Sequence, residues 1–245
     1  MEKINRYFNI PYVLRRIIRT ADLSIFLSEC RICGNLLVLD NENIICSECR
    51  ASLIMTDDSC CRICSCPLGN DADICGKCLV DPPPFQKHLS FTPYKGLIKK
   101  LILLYKYGQV EGLKHLFTSL LLELYKEKCN RKIDAIIPVP QDRGRKREFS
   151  PIMEITELMS NNLKIEHLSD VLVKVKKTVP QAGLGKSRRL KNLDGAFKLQ
   201  NPVRLEGKTV LLIDDVYTTG TTVRKCAGLL RRFAAEVVVM TLART

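Results

Sequence analysis

The sequence lacks any apolar run long enough to cross a membrane, a span that takes about 20 residues. Its first 27 residues also lack the marks of a secretory signal peptide, because arginines interrupt the apolar stretch and no small-residue cleavage site follows. Their pattern predicts a short amphipathic helix, assigned to residues 1–29, that packs on the body of the protein. A role at a membrane surface is the less favoured alternative. We therefore expect a cytoplasmic protein with no membrane span.

Acidic residues are scarce relative to basic ones, with 26 Asp and Glu against 39 Lys and Arg and a net charge of +13. The imbalance is uneven along the chain. Residues 1–90 contain 10 basic and 11 acidic residues, whereas residues 91–245 contain 29 and 15. A strongly basic half favours polyanionic partners such as pyrophosphate, nucleotides or nucleic acid. The alternative is a basic surface that is merely solvated.

Cysteine is abundant, and ten of the twelve cysteines lie between positions 30 and 78. Eight of them form four C-x-x-C pairs: Cys30/Cys33, Cys46/Cys49, Cys61/Cys64 and Cys75/Cys78. Two such pairs can complete a tetrahedral Zn²⁺ site, and four cysteine ligands close that site, so we predict two structural zinc ions in a double ribbon over residues 30–80. Disulfides, an iron–sulfur cluster and redox C-x-x-C motifs are weaker alternatives. Cys60 and Cys66 are spare, although either could replace a neighbour as ligand.

The segment from Val210 to Thr222 carries the clearest chemistry. Val210–Ile213 reads as a buried parallel strand, two carboxylates follow it, and a loop of hydroxyls with one glycine leads into a helix. The unpaired N–H groups of a helix start attract phosphate, and threonine hydroxyls add donors. Asp214 and Asp215 can accept hydrogen bonds from neighbouring sugar hydroxyls. A diol at one end and a phosphate at the other describe a ribose 5-phosphate.

This segment closely resembles the signature of type I phosphoribosyltransferases, which bind phosphoribosyl pyrophosphate (PRPP). The resemblance implies that the two aspartates hold the ribose hydroxyls and that the following loop wraps the 5-phosphate. The implied PRPP-binding residues of this segment are Asp214, Asp215, Val216, Tyr217, Thr218, Thr219, Gly220, Thr221 and Thr222. The plain alternative is an ordinary strand before an N-capped helix, since Asp and Thr are common caps.

The rest of the chain alternates strands and helices after a stiff Pro82–Pro84 linker. Such alternation predicts an α/β domain over residues 88–245, with a mostly parallel sheet flanked by helices. We therefore expect the type I phosphoribosyltransferase fold behind a small N-terminal cysteine-rich zinc-ribbon module.

Further motifs extend the resemblance over nearly the whole chain. In order they are the double cysteine ribbon, Tyr94-x-Gly-x-Ile-Lys99, Ile137-Pro-Val-Pro140, Pro180-Gln-x-Gly-Leu184, Arg189 with Asn192, Gly195-Ala-Phe197 and the threonine loop. This combination is similar to the competence protein F (ComF) family of bacteria. The resemblance implies a cytoplasmic protein of natural transformation that handles incoming single-stranded DNA. It does not by itself imply enzymatic turnover.

The type I resemblance assigns further roles. The backbone around Val139 and Pro140 is implied to hold pyrophosphate, and a basic lid over Gln181–Asn192 is expected to bring Lys186 or Arg189 to the diphosphate. Asp214, Asp215 and Arg189 are the candidate catalytic residues, and Mg²⁺ accompanies PRPP. No acceptor pocket can be identified, although Tyr217 and Phe149 are candidates for stacking on a base.

Two kinds of function remain open. The first is a phosphoribosyltransferase that transfers the pentosyl group of PRPP to an unknown acceptor. The second is a PRPP-responsive protein that binds single-stranded DNA and has little or no enzymatic turnover. The basic half of the chain supports this hypothesis. A weaker third hypothesis is an interaction module that recruits a DNA-uptake helicase, with the phosphoribosyltransferase fold as a relic.

Overall fold

The computed structural model describes residues 27–38, 44–56, 59–69, 72–108, 110–141, 150–176 and 193–245. The chain divides into two compact units, Met1–Ser52 and Leu53–Thr245. The two clusters of C-x-x-C pairs therefore fall in different units. The predicted module boundaries at residues 30–80 and 88–245 remain a prediction about how the chain divides into domains.

The first unit contains a short antiparallel hairpin and one turn of helix. The hairpin pairs β1 (Leu27–Glu29) with β2 (Leu36–Val38), and α1 spans Ser47–Ala51. Gly34, in the turn between the strands, has a φ of +76°, a conformation that glycine adopts without strain. A helix is predicted for residues 1–29, of which residues 1–26 lie outside the described residues. The prediction is wrong for the last three residues, because Leu27–Glu29 form strand β1.

The second unit is built around a parallel sheet. Its strands are β3 (Lys87–Pro93), β4 (Ala135–Pro138), β5 (Glu166–His167), β8 (Thr209–Tyr217) and β9 (Glu236–Arg244), with β6 (Leu172–Lys174) and β7 (Phe197–Leu199) paired as a separate antiparallel ribbon. Its helices are α2 (Gly76–Val80), α3 (Gly96–Tyr107), α4 (Leu113–Lys128), α5 (Pro151–Leu163) and α6 (Thr221–Leu230), with a 3-10 turn at Pro202–Leu205.

The five strands lie in the order β3-β9-β8-β4-β5, and every neighbouring pair is parallel. β8 is central because its apolar run needs cover on both faces. Val210, Leu211, Leu212 and Ile213 are fully buried, as the sequence predicts for a parallel strand with helices on either side. The predicted α/β fold with a mostly parallel sheet is confirmed.

The sheet changes direction between β4 and β8. From β4 the chain moves outward to β5, whereas from β8 it moves the opposite way to β9. In open α/β sheets ligands bind outside the carboxyl ends of the strands at such a switch point. The topology therefore places the expected site at the carboxyl ends of β4 and β8, which we call the β4–β8 site.

Hydrophobic positions along the helices account for their packing. In α3 the buried residues Ile98, Leu101, Ile102 and Tyr105 recur at helical spacing and form one face. In α5 the first helical residue is Pro151, a position where proline loses no hydrogen bond. Across the part of the chain that the structure describes, no helix is long and apolar enough to cross a membrane.

Candidate functional site

The β4–β8 site brings together two segments that are far apart in sequence. Pro138, the last residue of β4, pairs with Ile213 of β8, and the Val139 N–H donates to the Ile213 carbonyl at 2.9 Å. Because that N–H is occupied and Pro140 has none, neither residue offers a backbone donor to pyrophosphate. Val139 is buried and Pro140 half-buried, so both can line the site. The loop continues through Gln141 into residues 142–149, which lie outside the described residues.

Asp214 and Asp215 continue β8 beyond its buried run, so their side chains point to opposite faces of the sheet. Asp215 faces α3 and is only 9% exposed. Its Oδ2 lies 2.5 Å from the Nζ of Lys106, in the last turn of that helix. The ion pair therefore holds the side chain of Asp215 inside the protein, away from solvent.

Lys106 is held charged by this pair. Burial alone would lower the pKa of its ammonium, but the charge of Asp215 and the hydrogen bond to it outweigh burial and raise the pKa. The pair thus places a carboxyl group and an ammonium at the same edge of the sheet. Burial raises the pKa of the phenol of Tyr94, the residue after β3, while the charge of Lys106 opposes this rise and that of Asp215 adds to it.

Asp214 has a different environment. It is half-buried, and its Oδ1 accepts the backbone N–H of Asp215 at 2.9 Å. Burial, together with the neighbouring charge of Asp215, raises the pKa of Asp214 to about 7, although Lys106 and the backbone hydrogen bond oppose the rise. A carboxyl group that titrates near neutral pH can give up its proton when hydroxyl or metal ligands favour the charged form.

The threonine loop leads directly into α6. Gly220 precedes the helix with a φ of +73° and has no side chain with which to cap the first turn. A helix start presents its N–H groups and the positive end of its dipole to an anion. Thr218 and Thr219 are exposed at this point, and the hydroxyls of Thr219 and Thr221 lie 2.8 Å apart. The loop therefore has the donors that a phosphate requires.

Tyr217 lies beneath this loop and is only 6% exposed. Its ring stacks on His88 at a centroid distance of 4.4 Å, and the guanidinium of Arg244 lies 4.7 Å from the same centroid. Phe85 meets it edge-on at 6.5 Å. A methyl group on Gly220 would overlap the Tyr217 hydroxyl. The expectation that Tyr217 could stack on an acceptor base is wrong, since its ring is already covered by protein.

His88 is a neutral, fully buried residue. Burial lowers the pKa of its ring to about 3. Its Nδ1 lies 2.9 Å from the carbonyl oxygen of Cys64, which can only accept, so Nδ1 carries the proton and Nε2 accepts from the Thr241 hydroxyl at 2.9 Å. Arg244 donates to the same Cys64 carbonyl at 2.6 Å. The two residues that pack against Tyr217, His88 and Arg244, are thus both hydrogen-bonded to a cysteine-rich turn.

The cysteines assemble as two groups of four. The first cysteine cluster is Cys30, Cys33, Cys46 and Cys49, and the second is Cys61, Cys64, Cys75 and Cys78. Within each, all four sulfur atoms lie within 4.8 Å of one another, which confirms the predicted sets and shows that consecutive pairs combine.

The sulfur geometry fits one metal ion in each cluster. Sulfurs placed tetrahedrally at 2.3 Å from Zn²⁺ would be about 3.8 Å apart. The Sγ atoms of Cys30 and Cys49 are 3.8 Å apart, those of Cys33 and Cys46 are 3.6 Å apart, and those of Cys64 and Cys75 are 3.7 Å apart. These separations are far too long for disulfides, and all the cysteines are free. Both clusters are compatible with structural zinc.

The remaining predicted residues cannot be placed. Lys186 and Arg189, with the whole Gln181–Asn192 segment, lie outside the described residues, and so does Phe149. The expected lid therefore stays a prediction, as do the catalytic role of Arg189 and the contact of Lys186 with the diphosphate.

Sequence reasoning missed three residues that the fold brings to the site. Lys106 had a signal, because it lies four residues after Ile102 and so shares the buried face of an amphipathic helix, where a lysine needs a partner. His88 and Arg244 had no such signal, since pairing between strands brings them beside Tyr217. Arg244 pairs with Tyr217 where β9 meets β8, and His88 lies on β3, which pairs with the other edge of β9.

Comparison with known proteins agrees with this geometry. The phosphoribosyl transferase domain family matches residues 159–244, which include β8, the threonine loop and α6. DNA utilization protein YhgH of Shigella flexneri is 33% identical over 223 residues, covering 88% of this chain and 96% of that protein. Competence protein F of Haemophilus influenzae is 30% identical over 217 residues, covering 86% of this chain and 92% of that protein.

A solved adenine phosphoribosyltransferase from Saccharomyces cerevisiae is 23% identical and covers 57% of this chain and 72% of that one, with a TM-score of 0.32. The fold and the domain match define a protein with a type I phosphoribosyltransferase domain, accompanied by two four-cysteine clusters that fit a double zinc ribbon. At 33% identity over nearly the whole of a relative, the chain belongs to the ComF family, which includes Competence protein F and DNA utilization protein YhgH.

Proposed function

We propose that the chain binds PRPP with Mg²⁺ at the β4–β8 site and transfers its phosphoribosyl group to an acceptor. One observation carries the proposal. Two carboxylates near the carboxyl end of the central strand precede the threonine loop and the start of α6, beside the end of β4 at the switch point of the sheet. This order supplies acceptors for ribose hydroxyls and donors for a 5-phosphate at one edge.

The residues of the site divide the work of binding. Asp214, ionised once hydroxyls approach it, accepts hydrogen bonds from the ribose 2- and 3-positions, and Asp215 fixes Lys106 beside it. Thr218 to Thr222 and the first turn of α6 hold the 5-phosphate. Mg²⁺ prefers oxygen donors and would neutralise the pyrophosphate, and the half-buried Asp214 is a carboxyl group that could supply it an oxygen ligand.

The reaction requires little covalent help from the protein. As pyrophosphate leaves C1 of the ribose, positive charge develops on the ring, so positioning and charge neutralisation are the main contributions. Lys106 supplies a fixed positive charge near the leaving group, and Arg189 and Lys186 of the proposed lid add mobile ones. The two cysteine clusters hold one structural Zn²⁺ each and take no part in the transfer.

The relatives named for competence and DNA utilization support a biological setting for the proposed activity. We propose that the chain acts in DNA uptake and natural transformation, where it handles incoming single-stranded DNA inside the cell. A DNA-uptake helicase is the protein partner that this role would require.

The test is pyrophosphate release from Mg²⁺ and PRPP, with free nucleobases and a small-molecule cell extract as acceptors. Release that depends on an acceptor, and that disappears in Asp214→Asn/Asp215→Asn but persists in Glu206→Gln, is the expected result. Glu206 is an exposed acid on the same unit, so its substitution controls for loss of one carboxylate. Absence of release from protein that binds both zinc and PRPP would contradict transfer.

A second function is favoured by the charge of the chain. Residues 91–245 hold 29 basic and 15 acidic residues, and Arg231 and Arg232 are exposed at the end of α6. In this alternative the protein is a non-catalytic, PRPP-responsive DNA-binding or helicase-partner protein. Fluorescence anisotropy with a labelled oligonucleotide tests it, since phosphate contacts make affinity fall steeply with salt. No binding to single-stranded DNA even at low salt would eliminate this alternative.

A further inference from the structure

The second cysteine cluster and the threonine loop are connected through a short series of buried contacts. The loop rests on Tyr217, because Gly220 lies directly against the Tyr217 hydroxyl. Tyr217 in turn rests on His88 and Arg244, through a ring stack and a guanidinium contact. Both of these residues hydrogen-bond to the carbonyl oxygen of Cys64, whose sulfur belongs to the cluster. All of these residues lie in the Leu53–Thr245 unit.

Further hydrogen bonds fix the same turn to β3. The His88 N–H donates to the Ile63 carbonyl at 2.7 Å, and the Ser65 hydroxyl donates to the His88 carbonyl. Inside the turn, the Ser65 N–H donates to the Cys61 carbonyl at 2.8 Å. The turn that presents Cys61 and Cys64 to a metal is therefore the same turn that receives His88 and Arg244.

From these contacts we infer that the second cysteine cluster positions the PRPP-binding loop, so that zinc occupancy of this cluster and PRPP affinity are coupled. Tyr217, His88 and Arg244 are the positioning residues. The inference rests on the PRPP binding proposed above, and it goes further by assigning the second metal a role at the ligand site.

The physical reason lies in the Cys64 carbonyl. Four sulfurs within 4.8 Å of one another stay together when a cation binds them and lose that constraint without it. If the turn opens, His88 and Arg244 lose their shared acceptor, and buried donors without partners are costly. The ring stack beneath Tyr217 then loosens, and the loop samples conformations that do not bind phosphate.

Coupling between two sites is reciprocal, so PRPP must tighten zinc binding by the same factor as zinc tightens PRPP binding. Coupling of this kind is commonly about 5- to 150-fold. The first cysteine cluster lies in the other compact unit and provides a comparison within the same molecule.

The experiment is an equilibrium competition for zinc between the full-length, zinc-loaded protein and a chromophoric chelator, with and without Mg²⁺ and PRPP. PRPP is expected to raise the affinity of one of the two zinc ions about fivefold or more. Asp214→Asn/Asp215→Asn receives the same additions and corrects for zinc bound by PRPP itself. In Cys46→Ser, which removes a ligand of the first cluster, the tightened zinc should still be present.

Two substitutions separate positioning from general stability. Tyr217→Leu should keep two zinc ions per chain, lose the effect of PRPP on zinc affinity and bind PRPP at least about tenfold more weakly. Tyr217→Phe keeps the ring and should keep the coupling. If Tyr217→Leu does not fold, the competition with the natural sequence still decides the question.

The possible failures are distinguishable. If calorimetry detects no PRPP binding, the proposed function and this inference both fall. If PRPP binds in a manner that depends on Asp214 and Asp215, but zinc affinity does not change, only the coupling is overturned. Equal tightening of both zinc ions would also overturn it, because the assigned contacts involve the second cluster alone.

Discussion

Asp214 gives the most quantitative prediction, because its environment raises the pKa of its carboxyl group from the ordinary 3.8 to about 7. We consider the substitution Asp214→Asn, which keeps the shape of the side chain and removes the charge. Between these two pKa values the folded protein holds a proton on Asp214 that the unfolded chain has lost. The stability contributed by this group therefore falls as pH rises through that window.

The magnitude follows from the shift. A difference of this size corresponds to about 4 kcal/mol at full ionisation, and about 2–3 kcal/mol of it develops between pH 5 and pH 8. The asparagine variant has no such penalty. Relative to the natural sequence it should therefore gain about 2–3 kcal/mol of unfolding free energy between pH 5 and pH 8, with exposed Glu206→Gln as the control substitution.

Two measurements check this reasoning. Urea unfolding of zinc-loaded protein at pH 5 and pH 8, followed by circular dichroism, gives the change in unfolding free energy for each variant. Carbon-13 NMR of aspartate carboxyl groups gives the pKa directly, from the resonance that disappears in Asp214→Asn. A midpoint below pH 5, or a stability difference that does not change with pH, would refute the account of a buried, charge-crowded carboxyl group.

Three further predictions test the surroundings of the site. Lys106→Met leaves the buried side chain of Asp215 without its cation. The substitution should cost about 1–3 kcal/mol of unfolding free energy and weaken PRPP binding. Unchanged thermal stability and PRPP affinity would contradict the role of the pair. Gly220→Ala should impair PRPP binding much more than Gly207→Ala. Both glycines have a φ near +70°, but of the two only Gly220 would place the added methyl group against Tyr217. Equal losses of PRPP affinity in calorimetry would contradict that packing. Cys46→Ser should lower zinc content from two ions to one per chain by elemental analysis, whereas Cys60→Ser should retain two; a Cys46→Ser protein that still held two ions would remove Cys46 as a ligand.

The sequence predicted those parts of the structure whose cause is local. The apolar run of β8, the two aspartates after it and the glycine before α6 all follow from residue types within one short segment. The two cysteine clusters were predictable for the same reason, because C-x-x-C spacing brings two sulfurs together within one turn. The sequence does not determine which two C-x-x-C pairs share one metal site. The distances between sulfur atoms show that consecutive pairs come together.

The parts that were missed depend on contacts between distant segments. The partner of Asp215 comes from α3, more than 100 residues earlier, so only the folded sheet shows that the carboxylate is buried and ion-paired. Tyr217 was open to interpretation as a base-stacking residue because tyrosine suits that role. Its burial against Arg244 and His88 follows from the pairing of β9 with β8 and with β3, which no local pattern encodes.

The central claim is that Asp214, Asp215 and the threonine loop form a PRPP site, and isothermal titration calorimetry tests it most directly. Mg²⁺ and PRPP are titrated into the full-length, zinc-loaded protein and into Asp214→Asn/Asp215→Asn, with Glu206→Gln as control. We predict saturable binding at one site per chain in the natural sequence and in the control, and its loss in the double variant. Unchanged PRPP affinity in a folded double variant would contradict the account.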